Sequence, residues 1–127
     1  MRYLLDTHVI LWLYDNYVLL PNRIIKIISD PANELYISSV TLWEIAIKKG
    51  LNRLQIPLSM DEIYNLINKG PIEILHIEKK HLNVYTDLEF IHRDPFDRLL
   101  ISTAIAERLV LITHDNVIQK YDFDWLW

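Results

Sequence analysis

The sequence predicts an α/β fold, a parallel sheet with helices against both faces, formed as a single domain over residues 1–127. Three observations support this. Short apolar runs of strand length alternate with longer segments of helical periodicity from end to end. The strand-length runs are apolar along most of their length, as expected for strands buried on both faces. The only two glycines, Gly50 and Gly70, fall where helices are expected to end, and no repeat or linker-like stretch interrupts the alternation.

Arg2–Leu5 is the first strand, ending at Asp6, and residues 8–14 begin a largely buried helix almost at once. Residues 21–28 have a helical pattern halted by Ser29, Asp30 and Pro31. Residues 35–38 form the second strand. Ser39 is then placed to cap a helix reaching Lys49, with Gly50 as its left-handed end. Residues 59–69 repeat that design, with a serine cap, acids in the first turn and a lysine in the last. Residues 72–77 are the third strand and 78–89 a further helix. Asp94-Pro95 opens the next helix: Asp94 can cap exposed N–H groups, and proline at the first position leaves none unpaired. Phe96, Leu99, Leu100, Ala104 and Ile105 mark its apolar face, with Glu107 and Arg108 closing its far end. Residues 110–113 follow as a strand, 116–121 as a short helix and 123–127 as a short last strand.

Composition narrows the function classes. A chain that is 51% hydrophobic and 24% charged can bury a proper core, which argues against disorder. No apolar run approaches a membrane span, and the segment after Arg2 is too short for a signal peptide. The absence of cysteine excludes disulfides and thiolate metal sites, leaving a soluble, cytoplasmic protein as the simplest reading. There is no glycine-rich phosphate loop or dinucleotide fingerprint. A net charge of −4 does not announce a nucleic-acid binder, although a site made of carboxylates would itself produce such an excess.

In parallel α/β folds, ligands bind beyond the carboxyl ends of the strands. Asp6 follows the first strand and Asp115 the strand over 110–113. Glu44 lies in the helix after the second strand, surrounded by Leu42, Trp43, Ile45, Ala46 and Ile47. Asp97 occupies the first turn of a helix that starts at the same edge. Each acid has a structural alternative: Asp6 as a cap, Glu44 as a partner of Lys48, Asp94 and Asp97 as a capping pair, Asp115 as the start of a last helix. Convergence of four acids on one edge is harder to explain by structure. At ~4 Å and an effective dielectric of about 20, each like-charged pair costs on the order of 4 kcal/mol. Either some of the carboxyls stay protonated or a cation sits among them. All-oxygen ligands suit Mg²⁺ or Mn²⁺, and such ions can activate water for phosphoryl chemistry without a side-chain nucleophile. His8 and His114 adjoin two of the acids, but no HExxH spacing supports zinc. The four tryptophans are expected in the core or at interfaces.

LLDTHVILWL over residues 4–13, SSVTLWEIAIKKGLNRL over 38–54, and HRDPFDRLLISTA followed by LVLITHD over 92–115 resemble the PIN-domain ribonucleases of the VapC toxin type. The resemblance covers nearly the whole chain. It implies a three-layer α/β/α sandwich and Mg²⁺- or Mn²⁺-dependent cleavage of RNA, with Asp6, Glu44, Asp97 and Asp115 as metal-holding, catalytic acids. It also implies a cognate antitoxin protein that blocks the site, and a homodimer. Thr7 and Thr113 would be supporting hydroxyls, with Asp94 a cap that has a possible supporting part at the site. Asp97, which precedes Arg98-Leu-Leu-Ile, matches the family's third acid better than Asp94 does. Lys48, Lys49, Arg53, Arg93 and Arg98 are candidates for contacts to RNA phosphates, with a solvated basic face as the alternative. Two other classes compete. A receiver-like regulatory domain would need a second acid beside Asp6 and a lysine in place of His114-Asp115. A non-catalytic PIN-like domain would bind partners through an acidic pocket.

Overall fold

A computed structural model describes all residues, Met1–Trp127. Its sheet is built outward from β1 (Arg2–Leu5), which lies between β2 (Glu34–Ser38) and β4 (Val110–Ile112). β3 (Ile72–Leu75) adds beside β2, and β5 (Trp125–Leu126) beside β4, giving the order β3-β2-β1-β4-β5. All four pairings are parallel. Leu4 stands opposite Tyr36 on one side and Leu111 on the other, and Leu5 opposite Ile112.

The period of two along β1 divides the core. Tyr3 and Leu5 join Val9, Ile10, Ile24, Ile45, Ile63 and Ile67 on one face. These come from α1 (Thr7–Asp15), α2 (Asn22–Ser29), α3 (Ser39–Gly50) and α4 (Met60–Lys69). Leu4 faces the other way, onto Leu100, Ile101, Ala104, Leu109, Leu111 and Ile118. That layer is led by α6 (Pro95–Glu107), with α5 (Lys79–Asp87) against it. A strand with both faces covered can only be apolar, which is why Leu4 and Leu5 are fully buried. The result is a three-layer α/β/α arrangement.

The chain runs from β1 outward to β2 and β3, then returns across β1 to place β4 on its other side. The order therefore reverses between β1 and β4, and the crevice beyond their carboxyl ends is where such folds hold ligands.

Helix ends follow the capping residues closely, with some shifts. Ser59 and Glu62 form a reciprocal capping box on α4. Asp94 caps α6 through the N–H groups of Phe96 and Asp97, with Pro95 at the first helical position. Ser38 rather than Ser39 caps α3, accepting from the Val40 N–H at 3.1 Å. Gly50 does not end α3 in the left-handed region. It completes the last turn, and Asn52 takes the positive φ of 53° instead, as asparagine tolerates it. Gly70 is extended. The second left-handed residue is Arg108 (φ 55°, ψ 51°), which closes α6 with the N–H of Leu109 on the Ala104 carbonyl and its own on Ile105. Ile105 proves exposed, because α6 is buried instead around Leu100, Ile101 and Ala104. The short helix expected over 116–121 is a single 3₁₀ turn, Ile118–Lys120.

Candidate active site

The end of β1 does three things with one residue. The Asp6 N–H extends the ladder to the Ile112 carbonyl at 3.1 Å, and its side chain caps α1 through the Thr7 N–H at 2.6 Å. Its second carboxylate oxygen accepts from the Thr113 hydroxyl at 2.6 Å. Thr113, just past β4 and completely buried, also accepts from the Asp115 N–H at 3.1 Å, so one hydroxyl links the ends of both central strands. The pairing of β1 with β4 dictates this meeting, since it sets Leu5 against Ile112 and so brings their successors together.

Glu44 reaches the same place from the second turn of α3. Its Oε1 accepts from the Thr7 hydroxyl at 2.6 Å, and its Oε2 pairs with Lys48 at 3.1 Å, one helical turn on. The side chain is only 13% exposed, as an acid inside an apolar run requires. Asp97 stands in the first turn of α6, where its Oδ2 meets Nε2 of His92 at 3.0 Å. Asp115 accepts from the N–H groups of Val117 at 2.7 Å and Ile118 at 3.0 Å, opening the short 3₁₀ turn.

The acids feel one another. Burial pushes the Asp6 carboxyl above its ordinary range, opposed by the hydrogen bonds from Thr113 and Thr7, with Glu44 adding a further upward push. Burial also raises Asp97, to about 6, against the lowering effect of the His92 hydrogen bond, and the charges of Asp94, Asp6 and Asp115 push it further. Asp6, Glu44, Asp97 and Asp115 thus converge on the carboxyl edge of β1 and β4 from four separate elements.

Whether this set fits a divalent cation has two parts. The donors are hard oxygens, and burial together with neighbouring carboxylates raises two of the carboxyls, a penalty that a cation would offset. The spacing is open, however: no three His, Asp or Glu side chains are already assembled as a ligand group. Several of their oxygens are engaged in the hydrogen bonds just described, while each carboxylate oxygen has two lone pairs to offer. The chemistry of the donor set fits Mg²⁺ or Mn²⁺.

The basic residues separate. Lys48 neutralises Glu44, and Lys49 donates to the Ile56 carbonyl at 3.2 Å, tying down the loop after α3. Arg53 and Arg93 are exposed. Arg98 is not available for phosphate, because the turn of α6 points it inward, where it is 5% exposed. Its Nη1 donates to the Glu89 carbonyl at 2.9 Å and the Tyr121 hydroxyl at 3.0 Å. Its guanidinium lies over the rings of Tyr85 and Phe90. His8 and His114 pack by their rings against Trp12, and His114 also against Trp127. Trp43 is not in the core but 60% exposed, with its ring beside Phe96.

Sequence reading missed His92 and Tyr121. Their rings meet at the site across 29 positions, with Nδ1 of His92 2.9 Å from the Tyr121 hydroxyl. The available signal was a histidine in the loop directly before the helix that bears Asp97.

No curated protein matches the chain. Solved structures do. VapBC2 from Rickettsia felis, bound to a DNA fragment from its promoter, aligns over 100% of this chain and 99% of its own, with a TM-score of 0.75 and 19% identity. VapBC-1 from nontypeable Haemophilus influenzae aligns over 99% and 97%, with a TM-score of 0.74 and 23% identity. VapBC-5 from Mycobacterium tuberculosis, a member of the VapBC family of toxin–antitoxin systems, aligns over 98% and 97%, with a TM-score of 0.61 and 18% identity. At these identities the likeness is one of fold. The PIN domain profile matches residues 3–124. A parallel sheet with acids gathered where its order reverses, and a family match across almost all of the sequence, lead to one assignment: the chain belongs to the PIN domain family.

Proposed function

We propose that this chain is a Mg²⁺- or Mn²⁺-dependent endoribonuclease and the toxin of a toxin–antitoxin pair. The convergence of Asp6, Glu44, Asp97 and Asp115 on one edge carries the reading, together with the upward push on Asp6 and Asp97 that a bound cation would relieve. PIN family membership supports nuclease chemistry, and the VapBC relatives support a cognate antitoxin protein as partner.

Asp6, Glu44, Asp97 and Asp115 would hold the ion. Bound there, it would activate water and stabilise the departing oxygen of a phosphodiester. Thr113 and the Thr7 N–H keep Asp6 aimed, and the Thr7 hydroxyl does the same for Glu44. Arg53 and Arg93, both exposed, are candidates to contact phosphates, which would position RNA without reading its sequence. A homodimer would cover the apolar groove of about 330 Å³ that includes Trp43, Phe96, Leu82 and Tyr85.

The open spacing of the acids favours one second reading, a PIN-like domain that binds partners through its acidic pocket without cutting. One assay separates the two. Purified protein is expected to cleave RNA with Mg²⁺ or Mn²⁺ and to lose cleavage with EDTA, with Asp6→Ala or with Asp97→Asn. Cleavage that persists in chelator overturns the metal mechanism. Metal binding without cleavage favours the binding domain.

A further inference from the structure

The loop before α6 and the 3₁₀ turn after β4 are joined by a relay that ends on Asp97. We propose that His92 is a positioning residue for Asp97, held by Tyr121 through Nδ1 so that its Nε2 donates to the carboxylate. The assignment follows from counting hydrogens. The Tyr121 hydroxyl has one proton to give and lone pairs to receive. It lies 3.0 Å from Nη1 of Arg98 and 3.3 Å from the backbone N–H of His92, and both of those groups can only donate. Its own proton is therefore left for Nδ1 of His92, at 2.9 Å. With Nδ1 accepting, the ring proton resides on Nε2 and is donated to Oδ2 of Asp97 at 3.0 Å.

The anchor of this relay is rigid. Tyr121 is 4% exposed, and Arg98 is fixed by the carbonyls of Glu89 and Leu88 and by the faces of Tyr85 and Phe90. The relay also settles why two acids share one turn. Asp94 takes the exposed N–H groups of the helix, so the Asp97 carboxylate is released from capping. His92 then holds one of its oxygens and leaves the other without a protein partner. A buried arginine thus acts on the site through two rings rather than by touching a phosphate. Partners of this kind, which orient a ligand without binding the ion, typically change metal affinity or activity about 10- to 100-fold.

The inference rests on Asp97 being an acid of the nuclease site, and its test is arranged to separate the two. Nitrogen-15 NMR of the full, metal-free chain with labelled histidine is expected to show His92 protonated at Nε2 and bare at Nδ1. Tyr121→Phe removes the donor to Nδ1 and is expected to give a mixture of tautomers. In Mn²⁺ titrations followed by electron paramagnetic resonance, His92→Ala is expected to weaken binding about tenfold or more. It should also lower kcat with KM little changed. His92→Gln, which retains an N–H donor, is expected to restore most of both. A wild-type His92 protonated at Nδ1 overturns the inference. So does a His92→Ala variant with unchanged Mn²⁺ affinity and kcat while Asp97→Asn loses both, and in that case the nuclease reading stands. Asp97→Asn with wild-type Mn²⁺ affinity and cleavage takes Asp97 out of the site and overturns this inference, whereas a wild type that neither binds Mn²⁺ nor cleaves RNA overturns the nuclease reading.

Discussion

Asp97 and Asp94 lie three positions apart and carry the same side chain, yet their surroundings assign them opposite tasks. Asp94 is exposed and spends its carboxylate on the Phe96 and Asp97 N–H groups. Asp97 is half-buried beside other acids, and its carboxyl is raised from 3.8 to about 6. The fold therefore binds that proton more tightly than the unfolded chain does. The stabilising contribution is complete below about pH 4 and is lost as pH climbs through 6. At about 1.4 kcal/mol for each tenfold in proton affinity, the loss is on the order of 2–3 kcal/mol. In EDTA, Asp97→Asn is expected to melt above the wild type at pH 7.5, with the two converging near pH 4, as read by calorimetry. A constant offset across that range would show that the Asp97 charge is not disfavoured by the fold. The Asp94 cap and the four acids were readable as residues, since Asp-Pro and acids after strands are local signals. The burial of Arg98 was not. An arginine in Phe-Asp-Arg-Leu-Leu looks like a surface residue until Tyr85, Phe90 and Tyr121, all distant in sequence, are folded around it.

Among the elements, α6 shows how far periodicity carries. Its start was set by Asp94 and Pro95 and its end by Glu107 and Arg108, although nothing local marks Arg108 as left-handed. The apolar stripe was misplaced toward Ile105 because α6 is buried on several sides. Ser102 and Thr103 go into the interior by turning their hydroxyls back onto the Arg98 and Leu99 carbonyls. Polar residues that satisfy themselves in this way are invisible to a hydrophobicity pattern. The left-handed position offers a direct measurement. A non-glycine residue there is disfavoured by roughly 1–2 kcal/mol, partly offset by the greater freedom that glycine has in the unfolded chain. Arg108→Gly is expected to stabilise the protein by about 0.5–1 kcal/mol in urea denaturation. A loss of stability would mean that the arginine side chain holds the helix end by contacts of its own.

At the level of the whole molecule, a parallel sheet covered on both faces was legible because its strands are apolar and its helices recur between them. The order of the strands was not, since pairing of residues over a hundred positions apart leaves no local trace. It emerges only when β4 is seen to lie against β1. Two predictions belong to this scale. Binding of a cation to the folded state alone raises the melting temperature by mass action, so millimolar Mg²⁺ or Mn²⁺ is expected to shift it upward. Asp97→Asn should blunt the shift, and an unchanged melting curve would count against a cation site. Trp43, 60% exposed, borders an apolar groove with Leu82, Tyr85, Phe96 and Leu99, a face suited to self-contact. Trp43→Glu is expected to convert a dimer to monomers in sedimentation, and a wild type that already sediments as a monomer would reject this face as a self-contact.

Asp6 is at once the last rung of β1, the cap of α1 and the partner of a fully buried threonine. Removing its carboxylate therefore leaves a helix start uncapped and a buried hydroxyl without its acceptor. For trapping the proposed nuclease intact on uncut RNA, Asp97 is the better residue to disarm. Its carboxylate rests on a histidine at the rim, and the sheet does not depend on it.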